Sequence, residues 1–270
     1  MPFLTVERSQ RRRIYFEHYA GSKVPVVLIH GWGMSNRIWD TTLVELQANG
    51  HAVVSFDQRG CGQSDRDWPE VSVAASAADA AAIVRELGLP RVVLNGWSLG
   101  GAVAIEAARL LGAQCAGVVL TCGATPRYVQ AADFPHGNPP ESVAQTVAAL
   151  RADRANFMHA LTQAVCAVPQ SPAVINWLWS IFMQAAPSAD DALLNLGSLD
   201  QRAVLAALDV PLLSIVGGKD AVVDPEIGRI AARLAKRGRA VEFEECGHAP
   251  FLEDGPRYRK VLLDFLASVH

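Results

Sequence analysis

Three residue types that cooperate in acyl transfer lie far apart in this chain, each close to glycine. Ser98 sits in NGWSLGGA (95–102), inside a G-x-S-x-G pattern running from Gly96 to Gly100. A serine hydroxyl is a weak nucleophile until a base takes its proton, and that base needs a carboxylate to orient it. His248 in ECGHAPF offers the base, and Asp220 in SIVGGKDAVVD offers the acid. The glycines have a steric meaning. A sharp strand-to-helix turn leaves no space for side chains two positions either side of the serine. A tight turn with an incidental serine has the same spacing, so the surrounding elements must decide.

The competing residues have simpler readings. His18 and His51 lie near or at the start of strands, His136 and His159 lie in a helical segment, and His270 is terminal. Each reads as solvated or locally hydrogen-bonded. Asp224 precedes Pro225 and reads as a helix N-cap. Glu245 is too close to His248 along the chain to reach it across a loop. The HGWG stretch (30–33) follows an apolar strand, and its glycines let the backbone N–H of Trp32 face Ser98. With the N–H of Leu99, this makes two donors for a developing oxyanion. His30 is expected to brace that loop.

Elements that can present these residues follow from the apolar runs. VPVVLIH (24–30), HAVVSFD (51–57), RVVLNG (91–96), AGVVLTC (116–122), VPLLSIVGG (210–218) and AVEFEE (240–245) read as strands. Nearly continuous Val, Ile and Leu means burial on both faces, as in a parallel sheet covered by helices. Helical patterns over 37–48, 73–87, 100–112, 226–237 and 256–269 lie between or after them. FLTVER and RRIYFEHY read as an antiparallel pair. The fold class is α/β, a mostly parallel doubly wound sheet, whose strands end at the proposed reactive loops. From about Thr125 to Leu205 no strand pattern appears, and Pro135, Pro139, Pro140, Pro169, Pro172 and Pro187 divide the segment into short helices. The expected organisation is a core of 1–124 and 206–270 with a helical cap at 125–205.

Bulk properties bound the function. The 270 residues are half hydrophobic and carry a formal net charge of −3, which gives no electrostatic case for nucleic acid or an anionic membrane. The run Arg11-Arg12-Arg13 reads as a solvated edge-strand face. Five scattered cysteines without C-x-x-C spacing argue against a disulfide framework or zinc site and fit a cytoplasmic protein. The charged N-terminus lacks a signal-peptide pattern, and no apolar run reaches membrane-spanning length.

HGWG (30–33), FDQRGCGQSD (56–65), GWSLGG (96–101), GGKD (217–220) and GHAPF (247–251) together resemble the α/β-hydrolase superfamily, in order and over almost the whole chain. The order Ser98, Asp220, His248 is the one that superfamily carries. HGWG, GWSLGG and HAPF most resemble carboxylesterases that act on pimeloyl-acyl-carrier-protein methyl ester. FDQRGCGQS is closer to prolyl iminopeptidases, whose HGGPG and GGSWG are absent here. Haloperoxidase-like esterases and carbon–carbon bond hydrolases share the triad. Dehalogenases and epoxide hydrolases use an aspartate nucleophile, so Ser98 argues against both.

The resemblance implies a serine carboxylesterase and no metal, nucleotide or organic cofactor. In INWLWSIFMQ, Trp179, Phe182 and Met183 share one helical face, which either packs the cap or contacts substrate. With Trp32, Trp97 and Trp177 they are the expected substrate-binding residues, and they favour a small ester with an apolar acyl or alcohol part. In the cap, Arg127, Arg151, Arg154 and Arg202 face six acids, Asp133, Glu141, Asp153, Asp190, Asp191 and Asp200. That balance gives an acidic acyl carrier protein no net basic surface, although Arg151 and Arg154 could form a local patch. Alternatives are carbon–carbon bond hydrolysis or perhydrolysis on the same triad, or a small-ligand receptor with slow or no turnover.

Overall fold

Side chains alternate along the apolar runs, and that alternation builds two cores from one set of strands. In the computed structural model, which describes residues 2–7 and 12–269, Val26 and Leu28 face one side while Val27 and Ile29 face the other. The strands are β1 (Phe3–Glu7), β2 (Arg12–Tyr19), β3 (Lys23–Ile29), β4 (His51–Phe56), β5 (Val92–Trp97), β6 (Cys115–Thr121), β7 (Pro211–Gly217) and β8 (Arg237–Phe243). They form one sheet in the order β1-β2-β4-β3-β5-β6-β7-β8. The pairs β1–β2 and β2–β4 are antiparallel, and the remainder from β4 to β8 are parallel. Strands β4, β5 and β6 are buried along their full length.

Helices α2 (Val73–Glu86), α3 (Leu99–Leu111) and α9 (Pro225–Leu234) supply one core, with Val84, Val103 and Ile227 against the sheet. Helices α1 (Asp40–Ala48) and α11 (Gly255–Ser268) supply the other through Leu43, Leu46, Tyr258 and Phe265. The short α10 (Pro250–Glu253) leads into α11. Beneath the reactive ends of β5 and β6 lies a closed polar network. Asn95 Nδ2 donates to the Tyr258 hydroxyl (2.9 Å), and Thr121 Oγ1 donates to Asn95 Oδ1 (2.9 Å). Fully satisfied groups of this kind lock neighbouring elements without a desolvation penalty.

Between β6 and β7 lie α4 (Ser142–Ala152), α5 (Arg154–Ala164), α6 (Pro172–Phe182), α7 (Asp190–Ser198) and α8 (Arg202–Ala207). Only isolated bridges, Val129 with Asn138 and Ala131 with Phe134, interrupt the helical character. The two ends of the segment meet at Gln201. Its backbone N–H donates to the Pro126 carbonyl (2.8 Å), and its amide bonds Thr125 Oγ1 (2.7 Å) and the Ala102 carbonyl (2.9 Å).

Three expectations need correction. The helix expected over 226–237 ends at Leu234, and the last strand begins at Arg237 rather than residue 240. An edge strand is recruited by backbone pairing with β7, from Pro211–Arg237 onward, so the polar RGR start gives no hydrophobic signal. The helix expected over 37–48 begins as a 3-10 turn, Asn36–Trp39. Finally, Arg13 of the basic run is exposed, as expected of a solvated face, but its strand β2 is not the sheet edge, because β1 pairs outside it. Arg12 hydrogen-bonds Asp67, while Arg13 pairs with Asp65 (3.7 Å) and stacks 4.6 Å from the Phe3 ring centre. Arg11, like His270, lies outside the described residues.

The turn from β5 to α3 packs against the end of β3 with no space to spare. A Cβ on Gly100 would lie 2.4 Å from the Ile29 carbonyl oxygen and 2.5 Å from that of His30. Gly100→Ala is therefore expected to lower stability by at least about 2 kcal/mol in urea unfolding. An unchanged midpoint would contradict this packing.

Candidate active site

Ser98 joins β5 to α3 with φ 57° and ψ −125°, a region costly for any side chain. Three backbone hydrogen bonds hold it there. Its N–H donates to the Thr121 carbonyl (3.1 Å), and its carbonyl accepts from Gly101 (2.8 Å) and Ala124 (2.9 Å). Gly96 and Gly100 make the turn possible, since a Cβ on Gly96 would lie 2.1 Å from the Gly100 carbonyl oxygen. The result is a half-buried hydroxyl at the N-terminus of a 13-residue helix, where the dipole favours negative charge. Ser98 Oγ makes no hydrogen bond to another described residue.

Asp220 and His248 come together from two different strand ends. His248 Nδ1–H donates to Asp220 Oδ2 at 2.7 Å, with the two side chains 3% and 2% exposed. The other Asp220 oxygen accepts the backbone N–H groups of Val222 (2.8 Å) and Val223 (2.9 Å). Asp224 does not compete, because its side chain caps α9 through Glu226 N–H (2.9 Å) and also accepts Gly137 N–H (3.0 Å). Glu245 pairs with Lys219 at the surface.

Further contacts hold the backbone of the His248 loop from behind and from the helical segment. Trp97 Nε1 donates to the His248 carbonyl (2.7 Å), and His248 N–H donates to the Val165 carbonyl (2.8 Å). The Glu253 carboxylate accepts four backbone N–H groups. Two flank His248, from Gly247 (2.8 Å) and Ala249 (3.0 Å), and two follow α5, from Ala167 (2.7 Å) and Val168 (2.9 Å).

Leu99 is the first residue of α3, so its N–H has no intrahelical acceptor. Among the described residues, neither its N–H nor that of Trp32 is spent on a hydrogen bond. The Gly31–Gly33 loop is braced by the stretch after β4. His30 Nδ1–H donates to the Gly31 carbonyl (2.7 Å), its Nε2 accepts Gln58 N–H (3.0 Å), and Gln58 Nε2 donates to the His30 carbonyl (2.6 Å). Burial lowers the His30 pKa to about 4, only partly opposed by the Gly31 bond. Asp57 accepts the N–H groups of Asn36 and Gln63, both at 2.7 Å, while burial lifts its pKa to about 6. The FDQRGCGQSD stretch thus serves as scaffolding for the loop.

The expected substrate-binding residues separate into groups. Trp32 and Phe182 lie together, with ring centres 6.3 Å apart, and Trp32 Nε1 donates to the Ala189 carbonyl (2.9 Å). A small cavity of about 10 Å³ touches Trp32, Leu99, His30, Gln58 and Ala189. Trp97 is buried beneath His248, with ring centres 5.4 Å apart, and packs against Phe251. Trp177 is half-buried against the second core. Trp179 turns to α5, donating to the Ala155 carbonyl (3.3 Å) with its ring edge-on to His159. Met183 is 38% exposed. The expected face of Trp179, Phe182 and Met183 is therefore corrected. The buried face of α6 is Leu178, Ile181 and Phe182, because both sides of INWLWSIF are apolar and tertiary packing selects between them.

Two residues at the site escape the sequence reading. Glu253 carries a faint signal, an acid five residues after His248 where a helix begins. Cys122 carries none beyond following the strand end next to the serine turn. Its Sγ lies 3.7 Å from the Gly247 carbonyl oxygen, its φ is 44°, and burial followed by nearby Asp220 raises its pKa strongly.

The sequence profile of the alpha/beta hydrolase family matches residues 26–261. The chain is similar to a pimeloyl-[acyl-carrier protein] methyl ester esterase of Neisseria meningitidis, 32% identical over 248 residues, covering 90% of this chain and 94% of that one. It is also similar to the bifunctional esterase/perhydrolase DCH of Acinetobacter calcoaceticus, 29% identical over 265 residues, 94% of this chain and 96% of that one. An esterase from Exiguobacterium antarcticum shares the fold with a TM-score of 0.93, 24% identity and 98% coverage of both chains. No described helix is long and apolar enough to cross a membrane.

Two outcomes follow from the bracing contacts. Buried neutral, His30 adds stability above its unfolded pKa, which is lost as pH falls from 6.5 towards 4. The destabilisation by His30→Gln in urea is therefore expected to be largest at pH 7 and to shrink by up to about 3 kcal/mol at pH 4; a pH-independent difference would contradict it. Glu253→Gln, which exchanges an acceptor for a donor, is expected to lower kcat about tenfold or more with little change in KM. Glu253→Asp should recover part of the loss, and an unaltered kcat for Glu253→Gln would remove Glu253 from the account.

Proposed function

The chain belongs to the alpha/beta hydrolase family, and on that premise we propose that it is a serine carboxylesterase working through an acyl-enzyme. The observation that carries the reading is the 2.7 Å bond between His248 Nδ1 and Asp220 Oδ2, nearly out of water and tied through Trp97, which donates to the His248 carbonyl, to the strand that ends at Ser98. In this mechanism Ser98 Oγ attacks the ester carbonyl while His248 Nε2 takes its proton. The imidazolium is stabilised by Asp220, which stays ionised. The carbonyl oxygen becomes an oxyanion held by the N–H groups of Trp32 and Leu99, each worth on the order of 3 kcal/mol of barrier. Collapse expels the alcohol, which takes the proton from His248. Water then repeats the sequence on the acyl-serine, with His248 as base, and releases the acid.

The segment 125–205 acts as a cap over this site. Near the Gly31–Gly33 loop its contribution is apolar: a Cβ on Gly33 would lie 3.2 Å from Phe182 and 3.8 Å from the Met158 methyl. With Trp32 this supports an ester whose acyl or alcohol part is apolar. The cap arginines do not support docking of an acidic carrier protein. Arg127 pairs with Asp200 (3.2 Å), Arg151 with Asp191 (3.8 Å), Arg154 with Asp190 (3.5 Å), and Arg202 with Asp133 (2.9 Å) and Asp200 (2.6 Å). Charges neutralised within the cap offer little long-range attraction. A small free ester is the substrate class favoured here, although one relative is named for a carrier-bound ester. The esterase/perhydrolase relative makes perhydrolysis on the same triad the second reading.

Ser98→Ala is expected to keep its far-ultraviolet dichroism and lose p-nitrophenyl acetate hydrolysis by at least about 1000-fold. Retention of most activity would overturn the mechanism. Against matched methyl esters, kcat/KM for the free ester is expected to equal or exceed that for the carrier-bound form. A preference for the carrier-bound ester of about 100-fold or more would overturn the substrate class.

A further inference from the structure

We propose that Cys122, Asp220 and His248 form a binding site for a soft divalent cation, zinc or cadmium, whose occupancy switches off the proposed base. The three side chains present one ligand atom each, a sulfur, a carboxylate oxygen and an imidazole nitrogen, all within 4.8 Å of one another. Among the described residues this is the one group of three potential ligands that converges in this way. The esterase mechanism makes no use of Cys122.

Donor set and charge agree. Sulfur, imidazole and carboxylate together suit zinc or cadmium better than hard cations. A thiolate and a carboxylate balance a divalent ion, so the occupied site is neutral in a buried setting. A tetrahedral zinc with bonds of about 2.0–2.3 Å holds its ligand atoms roughly 3.5 Å apart, so binding opens the 2.7 Å Nδ1–Oδ2 pair by about 1 Å and draws the sulfur in by about 1 Å at most.

Binding releases one proton and changes no oxidation state. The thiol proton of Cys122 goes to solvent as sulfur binds the metal. The Nδ1 lone pair of His248 takes the metal in place of its proton, and that proton moves to Nε2. Asp220 exchanges the Nδ1–H bond for a bond to the metal. With Nε2 protonated, His248 has no lone pair for the Ser98 proton, so hydrolysis stops without any contact between metal and Ser98.

The test adds cadmium to the full-length wild type, Cys122→Ala, Cys122→Ser and Ser98→Ala. It follows the ultraviolet thiolate-to-cadmium charge-transfer band and p-nitrophenyl acetate hydrolysis. Wild type and Ser98→Ala are expected to give the same one-equivalent band, and both Cys122 variants to lose it. The cadmium concentration for half-inhibition should rise at least about tenfold in the Cys122 variants, with recovery of wild-type activity by a chelator. An unchanged band in the variants would assign the metal to another of the five cysteines and overturn the proposal. Equal inhibition of variants and wild type, or a band without inhibition, would do the same. The ultraviolet result in Ser98→Ala does not depend on esterase activity, so failure of the metal site and failure of the esterase reading are distinguishable.

Discussion

The geometry of the site depends on one steric constraint, the passage of the chain from β5 into α3 through a serine at φ 57°. Such a turn is costly, and it persists because the surroundings admit no alternative. Gly96 lies against the Gly100 carbonyl, Gly100 against the end of β3, and the backbone of Ser98 bonds to both Thr121 and Ala124. The central strands align the turn with the loops that complete the site, since Gly96 is in register with Ile29 on one side and Leu120 on the other. Position, exposure and helix-dipole stabilisation of Ser98 follow from one backbone arrangement.

A second coupling joins the imidazole to the helical segment above it. His248 donates its backbone N–H to Val165, and Glu253 gathers N–H groups from both the His248 loop and the end of α5. A displacement of α5 would therefore be felt directly at the proposed base. Trp97 ties the serine strand to the same loop from below. The Asp220–His248 pair is enclosed with it, and in the proposed mechanism an ion pair there is stronger because water is excluded.

Much of this was legible in the chain because strong local physics encodes it. Continuous Val, Ile and Leu runs marked the buried strands, glycine spacing marked the turn, and Pro225 marked Asp224 as a cap rather than a catalytic partner. Legibility ended where tertiary context decides. The polar start of β8 is a strand only because β7 offers a free edge. The aromatic residues of α6 lie on both sides of the helix, so no periodicity in the chain distinguishes Phe182, turned inward, from Met183, turned out. Glu253 and Cys122 acquire their roles from backbone groups and side chains distant in sequence, as do the cap arginines, whose partners neutralise them across helices.

A crystal structure after reaction with a p-nitrophenyl alkylphosphonate measures the central claim directly, because the adduct copies the tetrahedral intermediate. The account predicts a phosphorus–oxygen bond at Ser98 Oγ. It also predicts the phosphonyl oxygen about 3 Å from the backbone nitrogens of Trp32 and Leu99, with His248 Nε2 within hydrogen-bonding distance of Oγ. A phosphonate on another residue, or on Ser98 with its oxygen turned away from both nitrogens, would contradict it.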